Sequence, residues 1–238
     1  QPLAYRDADQ LVTLLHYGNA PVSVANFLDW RQQSNSFQAM AAAEYWSPDL
    51  TGSGTPEHLI GLRVTRNLLP MLGIKPALGR TFTEADDRTP PPAEIVLSHR
   101  LWQRRFSADP AILNKTITLN GSIFTVVGVM PPEFRFAPFW ATRAELWVPL
   151  GLGERMHARG GNSLRVFARL KPNVALTQAR AEVAALTARL EQQFPGTNRE
   201  VIVTPLKEKV VGKVQTPLLL LLGACGFVLL IACANVAH

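Results

Sequence analysis

The sequence predicts an α+β fold: a ferredoxin-like split βαβ layer, interrupted by a β-rich α/β lobe and followed by a transmembrane helix. Three observations lead there. The chain opens on a strand–helix–strand succession and closes on another, and two such units pack as one split βαβ layer. Between them the texture changes to short β-branched runs separated by Pro and Gly. The stretch from Pro217 to Ala234 carries no charge. The implied division is 1–65 for the first half of the layer, 66–161 for the inserted lobe, 162–212 for the second half, and 213–238 for a connector and the start of the membrane helix.

Each element has a local reason. "LVTLLHY", Leu11 to Tyr17, reads as a short buried strand. Ser23 stands as the N-cap of a helix whose apolar stripe is Val24, Phe27 and Leu28, with Trp30 at its edge. "FQAMAAAEYW" reads as a second strand, although its alanines suit a helix as well. In "HLIGLRVTR", Ile60, Leu62 and Val64 alternate with Gly61, Arg63 and Thr65, the period of a half-buried strand. The middle begins with a Pro/Gly-rich stretch holding one short helical turn, "NLLPMLG". "EIVLSHRLWQRRF" is a strand running into a helix, with Ser98 as its cap. Asn120-Gly121 between two β-branched runs is a hairpin turn, because both positions favour positive φ. "MPPEFRF" breaks the sheet, "ELWVPL" is one more strand, and the glycine-rich "GLGERMHARGG" reads as a mobile loop.

Regular pattern returns at "SLRVFARLK", where Leu164, Val166, Ala168 and Leu170 alternate. A long helix follows over about 177–194, with Ala179, Val183, Leu186 and Leu190 on one face and Pro195-Gly196 as its stop. "REVIVTPL" is the last strand. "KEKVVGKVQ" is a short basic connector, and Lys207, Lys209 and Lys213 give it its charge. The run beyond it contains Pro217, Leu222, Phe227 and Ile231. As a helix its 18 residues would span roughly 27 Å, close to the hydrocarbon core of a bilayer. Its apolar character runs all the way round, unlike a surface helix with a polar stripe. The chain begins at Gln1 and reaches His238 without a flanking charge cluster. We therefore expect a piece of a longer protein, with one hydrophobic helix before Gln1 and further spans after His238.

Composition narrows the function. The balance is 24 Lys plus Arg against 18 Asp plus Glu, a net charge of +6. The basic residues are scattered apart from "HRLWQRR", and neither zinc spacing nor an RNA-binding aromatic pattern is present, so nucleic acid is not expected as a partner. Cys225 and Cys233 both lie in the apolar run. Eight residues apart on a helix they are separated by roughly 12 Å, too far for a disulfide.

Chemical motifs are weak. Ser98-His99 could pair a nucleophile with a base, but no G-x-S-x-G context surrounds it, and a helix cap beside an exposed histidine explains it. "GSG" at 52–54 reads as a turn, and "GLG" at 151–153 lacks the rest of a dinucleotide loop. His16, His58, His99 and His157 show no metal-ligand spacing. Glu84, Asp86 and Asp87 lack a twelve-residue calcium loop. No catalytic, cofactor-binding or metal-binding residue is expected. "FRFAPFW" is aromatic and Pro-broken, and Phe134, Phe136, Phe139 and Trp140 are candidates for an exposed interaction surface.

Several blocks carry a resemblance. "SVANFLDWRQQSNSF", "RVTRNLLPMLGIKPALGRTFTEADD", "VLSHRLWQRRF", "LNGSIFTVVGVMPPEFRF", "LRVFARLKPNV" and "LLGACGFVLLIACANVAH" resemble, in order, the MacB-like periplasmic core domain, above all in duplicated permeases of the kind abundant in acidobacteria. The resemblance implies an extracytoplasmic domain between a first and a second membrane helix, with a porter layer and an inserted lobe, in the inner membrane. It implies an ABC transporter permease, working as a homodimer or pseudo-dimer in membrane lipid, with a separate ABC ATPase subunit and a periplasmic partner. No "GxxxxGK" loop occurs, so the chain itself is not expected to bind ATP. The domain would transmit membrane-helix motion and do no chemistry. The Lys207–Gln215 connector would carry that motion. Three lysines before the span would by themselves place that side in the cytoplasm, but the charge rule weakens for long translocated domains. Two other classes stay open on the residues: a membrane-anchored hydrolase using Ser98 or the carboxylates Glu44 and Asp29, and a passive binding or sensor module.

Overall fold

The computed structural model describes residues 5–52, 54–83, 90–136 and 140–210. Phe139, Lys213 and the apolar run with Pro217, Leu222, Phe227 and Ile231 lie outside them, as do Glu84, Asp86 and Asp87. Among the described residues no helix is long and apolar enough to cross a membrane.

The two strand–helix–strand units fold as the pattern predicts. β1 is Leu11–His16, α1 Val24–Gln33 and β2 Phe37–Trp46. Their counterparts are β11, Leu164–Leu170, α4, Leu176–Gln193, and β12, Val201–Pro205. Ser23 caps α1, its Oγ accepting from the Asn26 N–H at 3.3 Å. The four strands lie in the order β12-β1-β11-β2 with every neighbour antiparallel, the arrangement of a split βαβ layer. The alanines of β2 do not make it a helix, because the strand is hydrogen-bonded on both sides, to β11 and to β5 (Gly61–Val64). Pairing overrides propensity here.

The sheet does not stop at β2. It continues through β5, β10 (Leu146–Pro149), β7 (Glu94–Leu97), β9 (Ser122–Val129) and β8 (Thr116–Leu119), with β5–β10 and β7–β9 the parallel pairs. β3 (Asp49–Thr51) and β4 (Glu57–His58) join the far end through β8, and β6 (Leu78–Gly79) pairs with β9. One twelve-stranded mixed sheet thus runs through the described residues. Two helices belong to its middle part: α2, Leu68–Leu72, and α3, His99–Phe106, capped by Ser98. The β8–β9 turn has Asn120 at φ 49° and Gly121 at φ 77°, as Asn-Gly requires.

Three apolar clusters hold the sheet. Under α1 and α4, Val12, Leu14, Met40, Ala42, Val166 and Ala168 meet Phe27, Trp30, Val183 and Leu190. Trp30 is central there and fully buried, not at the edge of its stripe. On the opposite face Leu11, Ala41, Ala43 and Phe167 pack with α2, Phe136 and Trp147. The third cluster fills the insert around Ile95, Leu97, Leu101 and Val126. β11, whose alternation marks one apolar face, is therefore covered on both faces. Even Arg169, on its second face, is buried, donating to the carbonyls of Met71 (2.8 Å), Arg6 (2.6 Å) and Asp7 (3.2 Å). Its own carbonyl partners replace the water it has lost.

Candidate coupling and interaction surfaces

The connector begins inside the fold. β12 passes directly into a helical stretch, residues 206–210, the last ones described. Leu206 is 1% exposed and joins the cluster of Leu11 and Phe167, so the first turn is anchored by apolar burial. Lys207 Nζ lies 3.4 Å from Asp9 Oδ1. Lys209 Nζ donates to the Gly18 carbonyl and to Asn19 Oδ1, the latter at 2.8 Å. The two connector lysines among the described residues therefore hold both ends of β1.

The contact continues inward. The carbonyl of Asn19 accepts from Arg165 Nη1 at 2.7 Å. The Arg165 guanidinium, pushed down in pKa by burial, lies 4.8 Å from the centre of the Trp140 ring, a cation–π contact. Trp140 packs on Phe136 at 6.4 Å, and Phe136 on Trp147 and Phe167 at 6.4 and 5.8 Å. A continuous line of contacts joins the connector to the 131–136 turn and the insert.

This geometry corrects the aromatic surface. Phe134 is 7% and Phe136 2% exposed. They are core, held by Trp147 at 5.4 and 6.4 Å. Trp140 is half-buried under Arg165. No exposed aromatic patch forms among the described members of the set, because the Pro-broken turn folds back onto the open face of the sheet.

The glycine-rich 151–161 segment is likewise not a free loop. It contains a 3-10 turn at Gly153–Arg155, and two arginines tie it to the βαβ layer. Arg155 grips both Glu44 oxygens at 2.7 and 3.0 Å. Arg159 Nη1 lies 2.8 Å from Asp29 Oδ2 and 3.1 Å from Asn26 Oδ1, with its guanidinium 3.4 Å from the Phe194 ring centre. Glu44 and Asp29 are thus each neutralised by a separate arginine. Burial raises the Glu44 carboxyl, but the hydrogen bonds and charge of Arg155, the Ser163 side chain and the charge of Arg63 together outweigh it and hold it below the ordinary value of 4.5. An ionised carboxylate bound in this way is a poor general acid. Ser98 is occupied too, its Oγ accepting from the Leu101 N–H at 3.1 Å, while His99 turns its ring onto Trp102 at 5.3 Å.

A constellation that sequence spacing did not suggest lies on the β3–β4 hairpin. The Gly52/Gly54 turn, at φ 90° and 70°, sets Asp49 opposite His58. His58 Nδ1 lies 2.7 Å from Asp49 Oδ1, and its Nε2 2.7 Å from Ser47 Oγ. The signal available was the turn itself, which brings S-x-D against a histidine. The Ser47 hydroxyl also donates to the Leu59 carbonyl at 3.1 Å. The His58 and Asp49 side chains are 67% and 60% exposed, so the relay stands in bulk water, without the enclosed site in which oxyanion stabilisation is effective. Among the described residues no group of three or more His, Cys, Asp or Glu could hold a metal ion.

A family model described as MacB-like periplasmic core domain matches residues 4–186. The fold is similar to the periplasmic region of MacB from Actinobacillus actinomycetemcomitans, at 17% identity and TM-score 0.61, covering 84% of this chain and 90% of that one. It is similar also to the extracellular domain of the noncanonic ABC-type transporter YknZ from Gram-positive bacteria, at 14% identity and TM-score 0.60, covering 82% and 99%. No curated relative matches the chain.

Proposed function

Because the chain belongs to the MacB-like periplasmic core domain family of ABC transporter permeases, we propose that it is the extracytoplasmic part of such a permease and passes conformational change between membrane helices and the outer face during transport. In this reading residues 1–65 and 162–212 act as the porter layer and 66–161 as the lobe it drives, and the apolar run after Lys213 begins a span of the inner membrane. Two permease units and a separate ATPase complete the machine, and a periplasmic protein receives the motion. The domain does no chemistry.

One observation carries the reading: the unbroken contact line Lys209–Asn19–Arg165–Trp140, at 2.8, 2.7 and 4.8 Å. It runs from the connector through the β1–α1 turn and β11 to the insert. Displacement at residue 210 is met by packed side chains, which shift as a unit more readily than they deform. The test uses the full permease with its ATPase, with Cys225 and Cys233 changed to Ser and Ile202 to Cys for a spin label. ATP with vanadate should change the label-to-label distance between units. A flexible Gly-Ser insertion after Val210 should abolish the change while hydrolysis and the folded circular dichroism persist. A distance change of undiminished size would overturn the coupling role.

A second reading, a membrane-anchored hydrolase, draws on the Ser47–His58–Asp49 chain. Selective labelling of Ser47 by a fluorophosphonate would support it, and an unlabelled Ser47 removes it.

A further inference from the structure

Between the N-terminus of α3 and the 131–145 segment lies an open groove of about 490 Å³. Its rim is cationic: Arg100, Arg135 and Arg143 all line it and all are exposed. Among the described residues none of the three is paired with a carboxylate. The acidic side chain on the wall, Glu145, is already taken, accepting from Arg104 at 2.8 and 3.2 Å. Glu133, on the same turn as Arg135, is not among the lining residues.

The rim is also built, not merely charged. Arg135 donates Nη1 to the carbonyls of Pro132 and Phe134 at 3.1 and 3.2 Å, and its own carbonyl accepts from the Tyr5 hydroxyl at 2.6 Å. The buried Phe134 and Phe136 fix the turn beneath it. On the opposite wall α3 is held by the Ser98 N–H, which donates to the Glu145 carbonyl at 2.7 Å. That contact sets Arg100 and Gln103 along the groove. The dipole of α3 adds positive potential at the same mouth, although Ser98 already takes the Leu101 and Trp102 N–H groups.

We propose that this groove is a phosphate-binding site, recognising a phosphate group by the guanidiniums of Arg100, Arg135 and Arg143, which all line it. Three positive forks around one volume match a dianionic, multi-oxygen group better than a single carboxylate. The volume admits a headgroup or small phosphate ester and is too small for a folded partner. The groove shares Phe136 and the 131–136 turn with the contact line, but the proposal rests on the arginine lining alone, and a binding measurement reads it without reference to coupling.

The experiment titrates the 238-residue chain, held in neutral phosphatidylcholine nanodiscs at low salt. Inorganic phosphate and water-soluble dihexanoyl phosphatidic acid are the probes, and dihexanoyl phosphatidylcholine is the control, read by calorimetry. Saturable binding of at least one phosphate probe is expected, weakened about fivefold by each of R100A, R135A and R143A and abolished by the triple change. The exposed Lys75→Ala, outside the groove lining, should leave it unchanged. Tighter binding of the phosphatidic acid than of inorganic phosphate, by tenfold or more, would assign a lipid headgroup; similar affinities would assign free phosphate or a soluble ester. Absence of saturable binding by both overturns the site. So does binding that survives in a triple variant with an unchanged thermal midpoint, or a K75A loss equal to that of the arginine changes, which would indicate net charge alone.

Discussion

Arg155 holds both carboxylate oxygens of Glu44, at 2.7 and 3.0 Å, across 111 residues of chain. The pair fastens the segment that leaves the insert to β2 of the βαβ layer. Removing one partner leaves the other partly buried and unpaired, so Arg155→Ala should cost roughly 2 kcal/mol in urea unfolding. The Glu44 carboxyl is held below 4.5 in the folded state. Its contribution is therefore complete above the unfolded value and is lost as pH falls through the lower, folded one. E44Q should flatten the acid limb of the stability curve below about pH 5. An unchanged limb in E44Q would show that other carboxylates set it.

The burial of Phe136 yields a second contrast. F136A empties a site at the meeting of Trp147, Phe167 and Trp140 and should destabilise by about 3–5 kcal/mol. W140A removes a half-buried ring and its cation–π contact, at about 1 kcal/mol. Equal and small effects in chemical denaturation would mean that the aromatic turn is a surface after all.

Two glycines separate steric from conformational need. A Cβ on Gly128 would lie 2.1 Å from the Arg80 carbonyl oxygen, and one on the facing Gly79 2.2 Å from that of Val127. The β6 and β9 backbones can meet only because neither residue has a side chain. G128A should cost roughly 3 kcal/mol. Gly121, with nothing within 4 Å of its Cβ position but φ at 77°, should cost roughly 1 kcal/mol as G121A. Thermal midpoints of the two variants check the order, and G121A falling below G128A would contradict it.

Much of the fold is legible residue by residue because its signals are local. Ser23 and Ser98 cap the helices they precede, and Asn120-Gly121 makes its turn. Ala179, Val183, Leu186 and Leu190 form the buried face of α4. The interaction surface was less legible. Phe134 and Phe136 look exposed in a Pro-broken segment, and nothing nearby in sequence says that Trp147 and Phe167 await them. Alternation in β11 likewise reveals one apolar face, whereas its other face is closed by α2 and the aromatic turn.

By itself, then, the sequence determined most of the strands and helices and where they begin and turn, and its ordered blocks carried the resemblance to one family. The elements follow from side-chain periodicity, capping and turn chemistry within a few residues; the family follows from the resemblance of whole blocks of sequence. Tertiary structure alone decided that the layer and the insert share one sheet, that Arg155 finds Glu44, that Asn19 stands between Lys209 and Arg165, and that three arginines ring one groove. These depend on contacts between residues far apart in the chain, whose partners are chosen by packing and by the need to satisfy buried polar groups.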